Sequence, residues 1–437
     1  MNFSVFIFEF RHFIRSKAKL FSYLIFMLLC FYSIYNGFNI MHKQISTIDE
    51  INTKIDFQEK QLIGWYDNLE TGPADKPWVN IQDPFWAIRY IPTFLVKEPS
   101  LLFPLGIGQS EQFGFYKKIT RWSSTYDTDM VEEMSNYERL INGNIDFSFL
   151  VIFLLPLLLI ILTYNVNGLE KDLKFHKLIS VQNVRINYWI FNRLMFYLFL
   201  ILFSIDILIL GSGILNNMFI DNKSIWNLVL ISNIYIISFA VIFYILNTYS
   251  NSSSYTAFQM ISVWLIFCVI VPGSVHQYAS FKYPVNYMTD FLDVNRKQTY
   301  EVFKLDNLDH YDILLEIHPE LIDSKKVKKL ELDKKLIRRS LSTIINQMNI
   351  NASNQIEIQN EEKNRLIRLS YFFNPVSFVQ NLWNSCTLTD YNAYKDFRFK
   401  IQKSIDVRNK LIVLESWNEK KVDKVTHLEY LKVLNNN

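Results

Sequence analysis

Asp206 is the one clear carboxylate inside the long apolar stretches of this chain. An ionisable group surrounded by hydrocarbon is costly enough to mark a functional position by default. Two roles fit it: a hydrogen bond between packed helices, or a polar station on a substrate path. It stands near the outer end of its stretch, where water or a neighbouring helix can solvate it.

Other chemistry is argued against by what the sequence lacks. No GxxxxGK followed by Ser or Thr occurs, and Gly106–Gly108 has no strand-to-helix context, so the chain does not hydrolyse ATP by itself. HExxH is absent, and the seven histidines, among them His42, His176, His276 and His310, form no ligand spacing, so no metal site is expected. GxSxG is absent too, and Ser250, Ser252, Ser253 and Ser254 read as a polar turn rather than as nucleophiles. The three cysteines, Cys30, Cys268 and Cys386, show no CxxC spacing, so neither a disulfide framework nor a zinc site follows. A net charge of +3, without a basic run interleaved with stacking aromatics, argues against nucleic acid. No bound cofactor is expected on this chain.

The elements that must position Asp206 are five apolar stretches. Each is near the roughly 20 residues a helix needs to cross a hydrocarbon layer. One stands alone at 18–41; the others crowd into 147–279, as Phe147 to Tyr164, Trp189 to Leu210, Ile225 to Leu246 and Ala257 to Val275. Of 437 residues, 50% are hydrophobic and 16% aromatic, but the 20% that are charged leave material for water-facing domains. The fold class expected is mainly α: a polytopic helical membrane protein with about five transmembrane helices and two polar insertions, 42–146 and 280–437.

Ahead of the first span, Phe3, Phe6, Ile7, Phe10, Phe13 and Ile14 recur at helical spacing, with Glu9, Arg11, His12 and Arg15 mainly elsewhere on the helix. Residues 1–17 therefore read as an amphipathic helix lying in the headgroup region, with Arg11, Arg15, Lys17 and Lys19 near cytoplasmic lipid. A helix that merely continues into the first span is the other reading. Basic residues near span ends prefer the cytoplasm. That rule puts the N-terminus inside and the first insertion outside. The connection 165–188, with Lys171, Lys174, Lys177 and Arg185 against Glu170 and Asp172, falls inside, and everything after about Tyr278 outside. Ile367 to Trp383 is the nearest candidate for a sixth span, but Arg368, Asn374, Pro375, Gln380 and Asn381 interrupt it, favouring an amphipathic or buried segment.

In the first insertion, Ile45, Ile48, Ile55 and Leu62 extend the first span outward as a long helix, and the text beyond Gly72 and Pro73 reads as irregular, aromatic, packed structure. In the second, Leu330, Leu332, Leu336, Ile337 and Leu341 form an apolar set beside Lys325, Lys326, Lys328, Lys329, Lys334, Lys335, Arg338 and Arg339. That charge run reads as solvated helix faces.

An interfacial N-terminal helix, a first span, an outer insertion and a charged inner hairpin together resemble the permease subunits of type-2 ABC exporters. Ser100 to Glu111, containing Gly106, Gly108, Gln109, Ser110 and Glu111 and followed by Tyr116 and Lys117, is similar to the Gly-x-Gly-Gln-Ser-acid element of a branch with large extracytoplasmic insertions. Phe373, Asn374 and Pro375, then Phe378, Leu382, Thr389, Asp390 and Phe397, resemble that branch's later Ser-Pro, Phe and Thr-Asp pattern. Glu170 to Arg185 resembles the inner segment that contacts the ATPase, although Lys174, Phe175 and Asn183 stand where the family has a Gly-Thr pair and a later Pro.

The resemblance implies a multi-pass protein of the bacterial cytoplasmic (inner) membrane. It implies a dimer with itself or a sister permease, driven by cytoplasmic ABC ATPase subunits that hold the ATP and Mg, with Glu170, Lys171, Lys174, Lys177 and Arg185 on the coupling surface. It also implies a hydrophobic or amphipathic cargo, peptide or lipid-like, and outer segments that cap the exit or dock a periplasmic or surface partner. Family members close with a sixth span, which is not found between Lys400 and Asn437; either the subunit lost it or a partner completes the bundle. A membrane-anchored scaffold or sensor whose outer domains bind a partner is the alternative.

Overall fold

The computed structural model describes residues 3–126, 129, 145–174, 186–216, 223–249, 252–286, 288–328 and 333–435. At 79% helix and 2% strand the chain is mainly α. Among the described residues four helices are long and apolar enough to cross a membrane: α2 (Lys17–Asp67), α6 (Ile186–Leu215), α7 (Lys223–Tyr249) and α8 (Ser253–Lys282). The remaining apolar stretch forms α4 (Phe147–Thr163), which is shorter.

Helix α1 (Phe3–Arg15) is a separate element. The chain turns extended at Ser16 (φ −84°, ψ 95°) and then enters α2, so the N-terminal helix does not run on into the apolar one. Once begun, α2 continues unbroken for 51 residues, about 75 Å at 1.5 Å per residue. Its first half is apolar. Beyond it Ile48, Ile51 and Leu62 are buried at helical spacings, so the outward extension packs against something along its length.

Helix α4 is apolar on every side, which is the pattern of a helix enclosed by others. Leu150, Val151, Ile152, Leu155, Leu159 and Leu162 are all buried, in one core with residues of α2, α6, α7 and α8. Its first turns contain a π-type segment, Leu150–Leu154, leading into Pro156. Proline lacks an N–H and crowds the preceding turn, so a widened turn just ahead of it relieves the clash. Tyr235 from α7 donates to the Ile152 carbonyl within that segment at 2.6 Å, and Trp264 from α8 donates to Phe153 at 2.8 Å.

The polar segments form a single body at the end of the bundle where α2 extends. Helix α3 (Pro84–Tyr90) and the ribbon β1 (Phe94–Val96) with β2 (Tyr116–Lys118) come from the first. The strands pair antiparallel, Leu95 opposite Lys117. Three residues per strand are too few to display an alternating pattern, which is why the sequence reads as irregular there. From the second segment come α9 (Val294–Lys304), α10 (Asn307–Ile317), α11 (Lys334–Leu369), α12 (Pro375–Cys386), α13 (Tyr391–Trp417) and α14 (Lys424–Asn435). Leu336, Ile337 and Leu341 are buried against Val302, Leu314 and Trp417, while Lys334, Lys335 and Arg338 are exposed; Leu330, Leu332 and Lys329 lie outside the described residues.

Cross-links between the two segments are polar as well as apolar. Phe85, Ile88 and Ile91 share a core with Ile412, Tyr430 and Leu431. The buried Arg408 guanidinium donates to the Ile88 and Ile91 carbonyls at 2.7 and 2.9 Å and to Thr93 Oγ1 at 2.9 Å. Those carbonyls lie at the end of α3, where a cation meets the negative pole of the helix. Arg398 ion-pairs with Glu357 at 2.6 Å and with Asp129 at 3.6 Å, and Tyr126 and Tyr391 both donate to Glu357.

Helix α12 is the part of Ile367 to Trp383 that bears on the membrane question. It is amphipathic: Val376, Val379 and Trp383 enter the bundle core, whereas Phe378 and Leu382 are exposed. Asn374 caps it by accepting from Ser377 N at 3.3 Å, with Pro375 in the first turn.

Candidate functional site

Two polar junctions hold opposite ends of the apolar bundle, and the residues singled out in the sequence divide between them.

At the end where α1 joins, Val5, Glu9 and Phe13 recur every fourth residue and make the buried stripe of α1. Glu9 is enclosed and ion-pairs with Arg193 Nε of α6, and Tyr197 donates to Glu9 Oε2 at 2.8 Å. Arg193 Nη1 donates to the Val166 carbonyl at 2.6 Å, just beyond α4. Lys19, only 2% exposed, donates to the Leu162 carbonyl at 2.7 Å and to Tyr197 Oη at 3.0 Å. Charges withdrawn from water are costly unless paired or hydrogen-bonded; Glu9 and Arg193 pair with each other, and Lys19 is held by its two hydrogen bonds.

The sequence places Glu9 with Arg11 and Arg15 on the polar face of α1 and Lys19 near headgroups. Arg11 and Arg15 are exposed, whereas Glu9 turns inward to α6 and Lys19 to α4 and α6. The apolar residues of α1 divide as well: Phe6 packs edge-on against Phe196 at 4.8 Å, while Ile7, Phe10 and Ile14 are exposed. Burial lowers the His12 pKa, against the raising effect of Glu9 beside it.

The same end carries the short helix α5 (Gly168–Asp172). A Cβ on Gly168 would come within 2.5 Å of Ser253 N and Cα, so only glycine lets α5 seat on the start of α8. Ser253 N donates to Asp172 at 3.3 Å, and Asn167 Nδ2 donates to the Asn247 carbonyl at 2.8 Å. Lys171 is half-buried in α5, and Lys174 is exposed just past it, in a left-handed conformation at φ 62°. Glu170 lies in α5; its side chain, and all of Lys177 and Arg185, lie outside the described residues.

Asp206 sits between these junctions. Asn233 Nδ2 on α7 donates to Asp206 Oδ2 at 3.3 Å, while Oδ1 is buried without a partner.

At the opposite end, the two outer motifs that lie far apart in sequence meet. Thr389 Oγ1 donates to the Gly106 carbonyl at 3.1 Å, and Gln109 N donates to the Thr389 carbonyl at 3.0 Å. Trp383 Nε1 donates to the Leu105 carbonyl at 2.8 Å, and Ser100 Oγ donates to the Thr387 carbonyl at 2.5 Å. Gly108 has φ 52°, and a Cβ there would lie 2.9 Å from Thr389 Cβ and O. Asp146, which the sequence reading passed over, ties this motif to α4. It caps α4 by accepting from Phe149 N at 2.7 Å, and it accepts from Ile107 N at 3.1 Å. Burial raises its pKa, and those hydrogen bonds oppose the rise.

Beside this junction opens a polar cleft of about 220 Å³. Arg368, Asp390, Gln109, Asn384, Tyr371 and Asn381 contribute its polar lining, and Phe378 and Leu382 its apolar side. Asp390 caps α13 through Ala393 N at 3.3 Å. Lys97 stands close to it and donates to the Leu388 carbonyl at 2.8 Å; burial lowers the Lys97 pKa to about 8, against the raising effect of Asp390. Ser110 is buried and Glu111 half-buried in the turn after Gln109, and Pro375 is exposed at the start of α12. Among the described residues no group of three His, Cys, Asp or Glu could hold a metal ion.

Arg193, Tyr197, Trp383 and Asn384 carry no sequence signal as isolated letters in helices. A basic residue early in α6 reads equally as a headgroup contact. No family model matches the chain, and neither the curated proteins nor the solved structures contain a match to it.

Proposed function

We propose that this chain is the membrane-spanning permease subunit of an ATP-driven exporter in a bacterial cytoplasmic membrane, worked by separate ABC ATPase subunits. In this reading α2, α4, α6, α7 and α8 span the membrane and the α1 end faces the cytoplasm. The polar body lies outside, and a second permease subunit completes the transport unit. The cargo is hydrophobic or amphipathic, and ATP and Mg reside on the partner ATPase.

The observation that carries the reading is the junction of Glu9, Arg193 and Lys19. A permease without its own ATPase must receive force at one surface and transmit it to its spans. Here α1, α2, α4 and α6 are joined by buried charges at the end where α5 seats on α8. A push on α5 or α1 therefore reaches four helices through contacts too costly to break singly. The meeting of Gly106–Gln109 with Thr389 adds support, because two motifs that resemble those of one exporter branch are joined in space.

The test is affinity purification of the full-length chain from its native membrane, followed by identification of co-purifying P-loop ATPases. Retention of an ATPase, and its loss in Glu170→Ala or Arg185→Ala, supports the reading. A chain that purifies without any ATPase favours a membrane-anchored scaffold. Accessibility of a C-terminal tag from outside intact cells supports the topology, and protection of that tag overturns it.

A further inference from the structure

We propose that the cleft between α11, α12 and the Gln109 turn binds the zwitterionic headgroup of an aminophospholipid, a primary ammonium joined by a short linker to a phosphodiester. This goes beyond the exporter reading and does not depend on ATP coupling.

The lining is built for both charges. Arg368 makes no ion pair among the described residues, and a guanidinium suits the paired oxygens of a phosphodiester. Asp390 supplies the opposite charge; its Oδ1 accepts from Ala393 N at 3.3 Å and its Oδ2 from Asn392 Nδ2 at 3.1 Å, with Lys97 nearby, and each oxygen keeps a further lone pair for an ammonium. Around it stand acceptors without donors: Asn384 is 7% exposed and its Oδ1 is buried with no partner, as is Gln109 Oε1. A buried acceptor left unpaired costs about 1–3 kcal/mol. An ammonium carries three N–H groups, enough for Asp390, Asn384 and Gln109 together.

Size and surroundings select a lipid over a free solute. The cleft, about 220 Å³, is smaller than the roughly 300–1,000 Å³ of pockets that enclose a drug-sized ligand. It therefore takes a head and leaves the rest of the molecule outside. Its apolar side, Phe378 and Leu382, belongs to α12, whose other face is inside the bundle core. The end of α11 and the turn before α12 expose Leu369, Phe373 and Phe372, the last 99% exposed, beside a contact of Ile367 with Val275 and Ala279 of α8. A cluster of exposed apolar residues level with the last turns of an apolar helix is the place for acyl chains.

Native mass spectrometry of the full-length chain in detergent, offered equal amounts of phosphatidylethanolamine, phosphatidylglycerol and phosphatidylcholine, tests the proposal. Retention of phosphatidylethanolamine about tenfold above the other two is expected. The glycerol lipid lacks the ammonium and the choline lipid lacks its N–H donors. Asp390→Asn keeps the α13 cap, since Asn caps as well as Asp, and Arg368→Gln changes an exposed residue. Each should retain the wild-type melting temperature and lower phosphatidylethanolamine retention about tenfold. Equal retention of the three lipids, or an unchanged preference in both variants, overturns the proposal. Free phosphoethanolamine competing as well as the intact lipid would overturn the lipid assignment in favour of a soluble zwitterion.

Discussion

Glu9 and Arg193, 184 residues apart, meet in an enclosed ion pair that fastens the N-terminal helix α1 to α6. Removing one partner of such a pair strands the other charge out of water, which costs about 3–5 kcal/mol, whereas replacing both by apolar residues of similar volume is often neutral. Glu9→Gln is therefore expected to destabilise the purified protein by that amount. Glu9→Leu with Arg193→Met should recover most of the loss. Denaturant titration in detergent, run as a double-mutant cycle, measures both; additive losses would mean that the pair is not coupled.

Gly108 and Thr389 set a second test. Gly108 holds φ 52°, and an added Cβ would crowd Thr389. Gly108→Ala should cost about 1–3 kcal/mol through backbone strain alone, with more from the clash. Gly64, inside α2 with nothing within 4 Å of its would-be Cβ, is the control. Gly64→Ala should stabilise by roughly 0.5–1 kcal/mol. Melting temperatures of the two variants moving in the same direction would refute the contrast.

Legibility in the sequence followed the physics of each element. Long apolar stretches are set by hydrocarbon thickness and stand out in any window, so α2, α6, α7 and α8 were visible with their approximate ends. The outward run of α2 was visible because Ile48 and Leu62 keep a helical period. The amphipathic pattern of Phe3 to Ile14 set α1 apart from the span that follows, but it did not exclude continuation, since Ser16 caps nothing with its side chain. Two- and three-residue features, such as β1 with β2, fall below any period. Gly106–Glu111 and Thr389–Asp390 stand in the sequence as separate motifs, but their meeting depends on α12 carrying the chain back to the bundle. The inward turn of Glu9 and Lys19 was hidden for another reason: a charged letter on an amphipathic helix reads as solvated until its partner, here on α6 or α4, is placed beside it.

His427 gives a pH test. It is fully buried in the packing of α14 on α2, its ring tilted 40° to that of Tyr66 with centroids 4.8 Å apart; burial depresses its pKa from 6.5 to about 4. The unfolded chain takes up the proton first on acidification. The stability contribution is therefore complete above pH 6.5 and is lost as pH falls toward 4, a change of about 3 kcal/mol at 1.36 kcal/mol per pKa unit. His427→Phe should flatten the stability profile between those limits. Thermal melts at half-unit pH steps read the slope, and an identical slope in the variant would assign it to other groups.

Asp206 and Asn233 connect α6 to α7 at 3.3 Å. Hydrogen bonds between helices in a bilayer average about 0.6 kcal/mol and reach about 1.7. A double-mutant cycle with Asp206→Ala and Asn233→Ala should give a coupling in that range. Asp206→Asn should keep much of it, because an amide oxygen still accepts from Asn233. A coupling within that range assigns Asp206 to helix packing. No coupling would leave a carboxylate in an apolar helix with no structural reason to be there, and the cost of placing it in lipid would then argue for a place on the substrate path. Steric trapping or denaturant unfolding in bicelles separates the two outcomes without knowledge of the cargo.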